Sequence, residues 1–237
     1  MRGILRRWPL RAGPCAIALL AIACLADPSF AHGVAESDKA YIQTHPGINI
    51  IPYIYLGAKH MVTGYDHLLF LFGVIFFLYR LKDVLLYVSL FTIGHSATLL
   101  AGVLGGIHVN AFIVDAVIGL SVVYKAFENM GGFQRLLGWA PDPRAAVLVF
   151  GLCHGLGLAT KLQESALPAA GLVTNIVSFN AGVEIGQLLA LTAVLLLLTY
   201  WRARPGFMRH AFVTNAALMA GGFLLVGYQV SGYVLAR

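Results

Sequence analysis

The feature that most constrains the fold is a series of long apolar runs separated by short polar connections. Apolar residues make up 59% of the 237 residues, whereas charged residues make up only 11%. A soluble domain carries about 25% charged residues, because water must solvate its surface. Lipid solvates a membrane protein instead, and its backbone polar groups are satisfied inside helices. The composition therefore predicts an all-α, polytopic membrane helix bundle.

The beginning of the chain has the three parts of an export signal. Four arginines lie before residue 12, residues 15–25 form an apolar stretch too short to span a bilayer, and small residues precede a cleavage site after Ala31. We therefore expect residues 1–31 to be a cleaved signal peptide and residues 32–237 to form a single transmembrane domain. The pattern also leaves open an uncleaved first helix.

Six transmembrane helices are expected after the signal. Residues 32–63 are mixed in composition and contain two prolines, which predicts a periplasmic or interfacial segment with a short helix over 48–61. The six-helix bundle then occupies 64–237, with lengths near 20 residues matching a hydrocarbon core about 30 Å thick. No internal repeat is evident. The predicted spans are 67–79, 84–105, 109–127, 145–159, 172–200 and 210–235.

Basic residues fall on every second connection between the predicted spans, as the positive-inside rule requires of cytoplasmic loops. The other connections are 105–108, which has no Lys or Arg, and the segment around Lys161, which Glu164 offsets. We therefore expect an inner-membrane protein whose mature N- and C-termini are periplasmic. The basic residues on the cytoplasmic connections are Arg80, Lys82, Lys125, Arg135, Arg144, Arg202, Arg204 and Arg209.

The net charge argues against a nucleic-acid partner. The full chain carries +6, but residues 32–237 contain twelve Lys or Arg against nine Asp or Glu, which leaves +3. This small excess is accounted for by the cytoplasmic connections. The bilayer is the partner that the composition predicts.

Seven ionisable side chains lie within the predicted spans or at their mouths, where such groups are costly and mark functional paths. We expect the first three to lie at the periplasmic mouth of the first span and the others deeper. Asn180 joins them, because the 4-then-3 spacing puts Asn180, Glu184 and Gln187 on one helical face. The seven are His60, Asp66, His67, His95, Asp115, His154 and Glu184.

Imidazole and carboxylate groups together suit divalent first-row metals such as Ni²⁺, Co²⁺ or Zn²⁺, whereas Mg²⁺ and Ca²⁺ prefer oxygen ligands. The seven residues therefore predict a metal path, in which the outer three collect an ion and the others pass it inward. Cleavage after Ala31 would add His32 as a new N-terminal residue, whose amine and imidazole chelate a late transition metal.

Structural roles for the same residues stay open. His95 and His154 could be hydrogen-bond partners between helices or axial ligands of a haem. Glu184 could pair with a histidine so that both are neutralised. Asp66 could cap the helix that follows it.

Several runs of residues resemble the HupE/UreJ family of membrane proteins. The His-x5-Asp-His run that ends at His67 matches the family's first motif, and runs 91–96, 150–155 and 179–184 are similar to a branch of the family. The resemblance covers roughly residues 50–235. It departs from hydrogenase-type members, which carry Phe-His-Gly and a further nearby His in the second motif; here Gly151 follows Phe150 and only His154 is present.

The resemblance implies a nickel or cobalt permease linked to hydrogenase or urease maturation machinery. It implies Ni²⁺ or Co²⁺ as the transported ion and no prosthetic group. The chain has no phosphate-binding loop of the Gly-x4-Gly-Lys-Ser/Thr type, so the membrane potential, worth about 2.3 kcal/mol per charge per 100 mV, would drive uptake.

Two other classes of function remain as alternatives to secondary uptake. One is a non-transporting membrane accessory protein that holds a metal or cofactor for maturation of a metalloenzyme. The other is an intramembrane metalloenzyme, but the sequence has no His-Glu-x-x-His helix and no nucleophile constellation of the Ser/His/Asp type. We therefore expect no enzymatic activity.

Overall fold

The computed structural model describes Thr44 and residues 47–164 and 169–236. This part of the chain is all-helical, as the composition predicts. The predicted signal peptide and His32 lie outside the described residues. The helices are α1 Ile50–Thr63, α2 Tyr65–Ile75, α3 Leu81–Gly105, α4 Ala111–Asn129, α5 Gly132–Leu137, α6 Pro143–Glu164, α7 Leu172–Arg202 and α8 Phe207–Leu235.

Among the described residues, four helices are long and apolar enough to cross a membrane, namely α3, α6, α7 and α8. α2 is apolar but shorter. The chain is therefore a multi-pass membrane protein, and the total of six crossings stays a prediction. The ends of the helices differ from the predicted spans, most clearly in α6, which continues to Glu164 rather than ending at residue 159.

α1 and α2 form one bent rod that runs parallel to α7. At the start of α1, the Asn175 side chain accepts a hydrogen bond of 2.8 Å from Asn49 N and donates one of 2.8 Å to Gly47 O. Beyond the end of α2, the guanidinium of Arg202 donates hydrogen bonds to main-chain carbonyls that have no N–H partner in a following helical turn. These carbonyls belong to Ile75, Phe76 and Leu78.

The short helix predicted over 48–61 is present as α1, and its interfacial location stays a prediction. α1 packs along the first half of α7, and Gly186, at the middle of the 31-residue α7, lies against Met61. Pro52 does not break α1, because it lies in the first turn, where the missing N–H has no helical partner anyway. Gly57 lets the two backbones approach, since a Cβ there would overlap Phe179 O.

α3 and α6 form a second parallel pair, which is also packed through glycines. A Cβ on Gly151 would overlap Phe91 O, and a Cβ on Gly155 would overlap His95 O. Further along the pair, Gly102 lies against Ala159. Small residues at such positions let helices approach closely in lipid, where the hydrophobic effect does not drive helices together.

α4 and α8 form an antiparallel pair. Gly119 lies against Val226, and Gly222 lies against Val123. Near one end of the pair, the Asn129 side chain donates a hydrogen bond of 2.9 Å to Asn215 Oδ1. α4 also packs against both α2 and α6, so it closes one side of the bundle.

The bundle has two ends, which we name the Gly171 end and the Arg202 end. Gly47, which contacts Gly171, lies at the Gly171 end, and the connection between α3 and α4 lies there too, where Gln163 donates a hydrogen bond of 3.0 Å to Ile107 O. The predicted cytoplasmic connections lie at the Arg202 end. Their basic residues include Arg80, Lys82, Arg135, Arg144, Arg202, Arg204 and Arg209.

The close approach of α3 and α6 predicts that Gly151→Ala is destabilising. The added methyl group would meet backbone atoms of Phe91 rather than a flexible side chain, and overpacking of this kind costs about 1–3 kcal/mol. Thermal unfolding in detergent should show a lower midpoint for this variant. Gly221→Ala is the matched control, because nothing among the described residues lies within 4 Å of its Cβ. An unchanged midpoint for Gly151→Ala would contradict the packing.

Candidate functional site

Four histidine rings from four different helices meet inside the bundle. His67 is at the centre, with ring centres 5.4 Å from His60, 5.9 Å from His95 and 4.8 Å from His154. They belong to α1, α2, α3 and α6. We call these four residues the histidine cluster. Sequence reasoning identified all four members.

The two parallel helix pairs and one helix break bring the cluster together. α1 ends at Thr63 and α2 begins at Tyr65, with Gly64 in an extended conformation between them. His60 is in the last turn of α1, and His67 is in the first turn of α2, so both lie beside the break. The structure places the break beside Gly186, near the middle of α7; the position of His60, Asp66 and His67 at the periplasmic mouth stays a prediction.

Asp66 holds the ring of His67. Its Oδ1 atom accepts hydrogen bonds from His67 Nδ1 at 3.0 Å and from His67 N at 2.9 Å, and both side chains are buried. A carboxylate only accepts, so Nδ1 carries the ring hydrogen and Nε2 keeps its lone pair. Metal-ligating histidines are held by carboxylates in this way. Asp66 was predicted as a ligand; in this structure its carboxylate orients the His67 ring.

Ser121 holds the ring of His154 in an equivalent manner. The Ser121 hydroxyl donates its hydrogen to Ile118 O at 2.6 Å. Its oxygen is 3.2 Å from His154 Nε2 and is therefore left to accept a hydrogen from that nitrogen. The lone pair of His154 then lies on Nδ1.

Each member of the cluster has a buried ring nitrogen without a hydrogen-bond partner among the described residues. Buried polar atoms are nearly always paired, and an unpaired one costs about 1–3 kcal/mol. Four such atoms in one place make the histidine cluster the candidate binding site. The atoms are His60 Nε2, His67 Nε2, His95 Nε2 and His154 Nδ1.

Aromatic side chains form the wall of the cluster. The Phe91 ring lies 5.1 Å from His154 and 6.0 Å from His95, and Phe70 lies 5.3 Å from His154. Both phenylalanines are 1% exposed. The wall excludes water and lowers the local dielectric constant, which strengthens the attraction between a bound cation and Asp66.

The spacing of His67 from each of the other three rings is compatible with an ion shared by that pair, but the ring nitrogens do not converge on one point. With metal–nitrogen bonds of about 2.1 Å, two rings on one ion have centres roughly 5 Å apart, which is close to the observed spacings. Within residues 47–164 and 169–236, however, no group of three or more His, Cys, Asp or Glu side chains is arranged to hold a metal ion. Binding would require the rings to rotate.

Asp115 does not join the cluster. Its carboxylate forms an ion pair of 2.8 Å with Lys161, and both side chains are buried. Lys161 therefore lies inside α6 rather than in the loop that its charge suggested. The pair is seven residues from His154 along α6, or about 10 Å toward the Gly171 end.

Glu184 also lies apart from the ring contacts. Asn180 and Gln187 are buried, whereas Glu184 is exposed, so the three do not point in one direction. The Asn180 side chain donates a hydrogen bond of 3.2 Å to Glu184 Oε1, and Gln187 Oε1 accepts one of 3.1 Å from Thr92. The sequence spacing predicts one shared helical face. In the structure, Asn180 and Gln187 lie on the buried part of that face, and Glu184 lies where it reaches the surface.

Sequence reasoning missed Ser121, Phe91 and the pairing of Lys161. Ser121 was detectable as a polar residue inside an apolar span, six residues after Asp115. Its partner His154 depends on how α4 packs against α6, which no local pattern reports. The same holds for the contact between Lys161 and Asp115.

Comparison with known proteins gives one match. Neither a curated protein nor a solved structure matches the chain. The family model described as HupE / UreJ protein matches residues 36–237, which include the histidine cluster, Asp66 and Ser121. Membership of this family suggests a metal transport or accessory role. Because the match covers most of the chain, the protein belongs to the HupE/UreJ family.

Proposed function

We propose that the protein takes up a divalent transition metal, Ni²⁺ or Co²⁺, from the periplasm into the cytoplasm. The observation that carries the proposal is the set of four buried ring nitrogens in the histidine cluster that have no partner among the described residues. They offer lone pairs to which an ion inside the bundle can bind. The ion is the substrate of the protein rather than a resident cofactor.

The chemistry of the cluster favours nickel and cobalt over harder ions. Neutral imidazole suits Ni²⁺, Co²⁺, Zn²⁺ and Cu²⁺, whereas Mg²⁺ and Ca²⁺ require mainly oxygen ligands. Asp66 supplies one negative charge without occupying a ligand position, since its Oδ1 accepts from His67. A site with few charges holds a divalent ion less tightly than a structural site does, as transport requires.

The position of the cluster favours transport over a static accessory role. An accessory protein that hands a metal to a periplasmic partner would carry its ligands at the surface. His67, His95 and His154 are at most 3% exposed, and they lie between helices that run the length of the bundle. A partner protein has no route to them.

The distribution of charge supports the direction of uptake. The basic residues Arg80, Lys82, Arg135 and Arg144 lie with the three arginines of the α7–α8 region at the Arg202 end. The positive-inside rule assigns that end to the cytoplasm. The membrane potential then drives a divalent cation from the Gly171 end inward, with about 4.6 kcal/mol per 100 mV.

No prosthetic group and no catalytic reaction are part of the proposal. A haem between His95 and His154 would need the space that Phe91 fills, since the Phe91 ring contacts both histidines. Hydrogenase or urease maturation machinery remains the expected recipient of the ion. This expected recipient follows from the family resemblance alone.

We expect His67→Ala and His154→Ala each to reduce Ni²⁺ accumulation to background. Each substitution removes a ring that contributes a free nitrogen to the cluster. Uptake should be measured with radioactive nickel in vesicles, with the amount of protein in the membrane determined in parallel. His108→Ala is the matched control, because His108 is an exposed loop residue bonded to Gly106 O. Normal uptake by both cluster variants would refute the proposed function.

Asp66→Asn and Ser121→Ala should weaken metal binding without removing a ligand. Loss of a partner that orients a ligating histidine costs about 10–100-fold in metal affinity. We therefore expect a raised KM for Ni²⁺ uptake, with a nearly unchanged maximal rate and thermal midpoint. Thr192→Ala is the control for Ser121→Ala, because it removes a hydroxyl that bonds only to its own helix at Leu188 O. Equal KM values for all of these proteins would show that neither residue positions a ligand.

A further inference from the structure

A buried ion pair lies next to the histidine cluster, and the proposed function gives it no role. The ammonium of Lys161 on α6 is 2.8 Å from Asp115 Oδ1 on α4, and both residues are at most 7% exposed. The attraction between two buried charges often fails to offset the free energy of removing both from water. A gain in stability therefore does not by itself account for the pair.

The pair lies on the side of the cluster that faces the Gly171 end, where the proposed uptake begins. α6 begins at the Arg202 end, so Lys161 lies two turns nearer to the Gly171 end than His154 does. A separation of seven residues also keeps the two side chains on one face of the helix. An inward-moving ion therefore reaches the depth of the pair before the depth of the cluster.

Gly157 brings the Asp115 carboxylate toward His154. It lies between His154 and Lys161 on α6, and its Cβ position is 3.0 Å from Val114 Cγ1 and 3.8 Å from Asp115 Oδ1. Residues three apart on a helix have Cβ atoms about 5–6 Å apart, and Gly157 is three residues from His154. The carboxylate thus extends from Lys161 to within about one helical turn of the His154 position.

The charge of Lys161 acts on the cluster as well as on Asp115. Its ammonium interacts electrostatically with His60, Asp66 and His154. Asp66 and Asp115 bring two negative charges to this region, and Lys161 cancels one of them. Two uncancelled carboxylates in a dry site would hold a divalent cation tightly, because affinity rises with the number of charged ligands and with a low dielectric constant.

We infer that Lys161 is a built-in substitute for the transported ion. While the cluster holds no ion, the ammonium neutralises Asp115. A divalent cation that binds to the cluster takes over the Asp115 carboxylate, and Lys161 releases it. When the ion leaves, the ammonium returns, so a cation lies beside Asp115 in both states. The inference rests on the proposed function, because an exchange of this kind serves an ion that has to leave again.

The exchange fixes an order of metal affinities. Asp115 leaves Lys161 only if its contact with the metal ion is the more favourable of the two. The ion therefore binds to the unmodified protein more tightly than to a protein that lacks both residues. It binds most tightly to a protein that keeps Asp115 but lacks Lys161, because no ammonium has to be displaced. A pair with only a structural role predicts instead that removing both partners restores the original affinity.

Equilibrium dialysis with radioactive Ni²⁺ tests this order on the purified full-length protein in detergent. The variants are Lys161→Met and the double variant Asp115→Leu/Lys161→Met, and the thermal midpoint of each is measured in parallel. The double variant should keep a midpoint near that of the unmodified protein, since apolar residues often replace a buried ion pair without loss of stability. Lys125→Met is the matched control, because this second buried lysine forms an ion pair of 3.0 Å with Glu128 near the Arg202 end.

We expect the dissociation constant for Ni²⁺ to fall about tenfold or more in Lys161→Met and to rise about tenfold or more in the double variant, since even a partner that only orients a ligand changes metal affinity by about 10–100-fold. Lys125→Met should bind Ni²⁺ like the unmodified protein. A stable double variant with the original dissociation constant overturns the inference. An equal fall in Lys125→Met also overturns it, because it would show a general effect of positive charge.

The dialysis is scored without transport, so the inference and the proposed function fail separately. The expected order of affinities in a protein that does not accumulate Ni²⁺ in vesicles rejects uptake and retains the exchange at Asp115. Normal uptake by a protein without this order rejects the exchange alone. Absence of Ni²⁺ binding by both the unmodified protein and Lys161→Met also overturns the inference.

Discussion

Backbone contact between parallel helices is the interaction on which the rest of the structure depends. Gly57 and Gly151 each let a helix approach the carbonyl of a phenylalanine on its partner, so that no side chain separates the two backbones. At this separation, His60 and His154 each reach the ring of His67 from different helix pairs. A larger residue at either glycine would move one of these histidines away from His67. Packing and the candidate site are therefore set by the same positions.

In the histidine cluster, some ring nitrogens are hydrogen-bonded to neighbouring side chains, and others have no hydrogen-bond partner among the described residues. Asp66 and Ser121 each occupy one nitrogen of a histidine and fix which nitrogen keeps the lone pair. The free nitrogens cost folding free energy, since nothing among the described residues satisfies them. A structural role would have supplied partners for them. The arrangement is compatible with the proposed transport, in which an ion binds to these nitrogens and leaves again.

The sequence predicted the fold class and the members of the cluster, because both follow from local properties. An apolar run specifies a membrane helix, and a histidine within it is conspicuous. It predicted a helix over 48–61, which is present as α1, but not the contact of α1 with α7, because that contact depends on tertiary packing at Gly57. It assigned Lys161 to a loop because charge is a poor guide when Asp115 lies on another helix.

The incomplete convergence of the ring nitrogens fits the proposed transport. If the four nitrogens already converged on one point, a divalent ion would bind tightly, and its release would have to break that site. Nitrogens that converge only partly bind an ion more weakly. The same cluster can then take up an ion and release it, as the proposed transport requires.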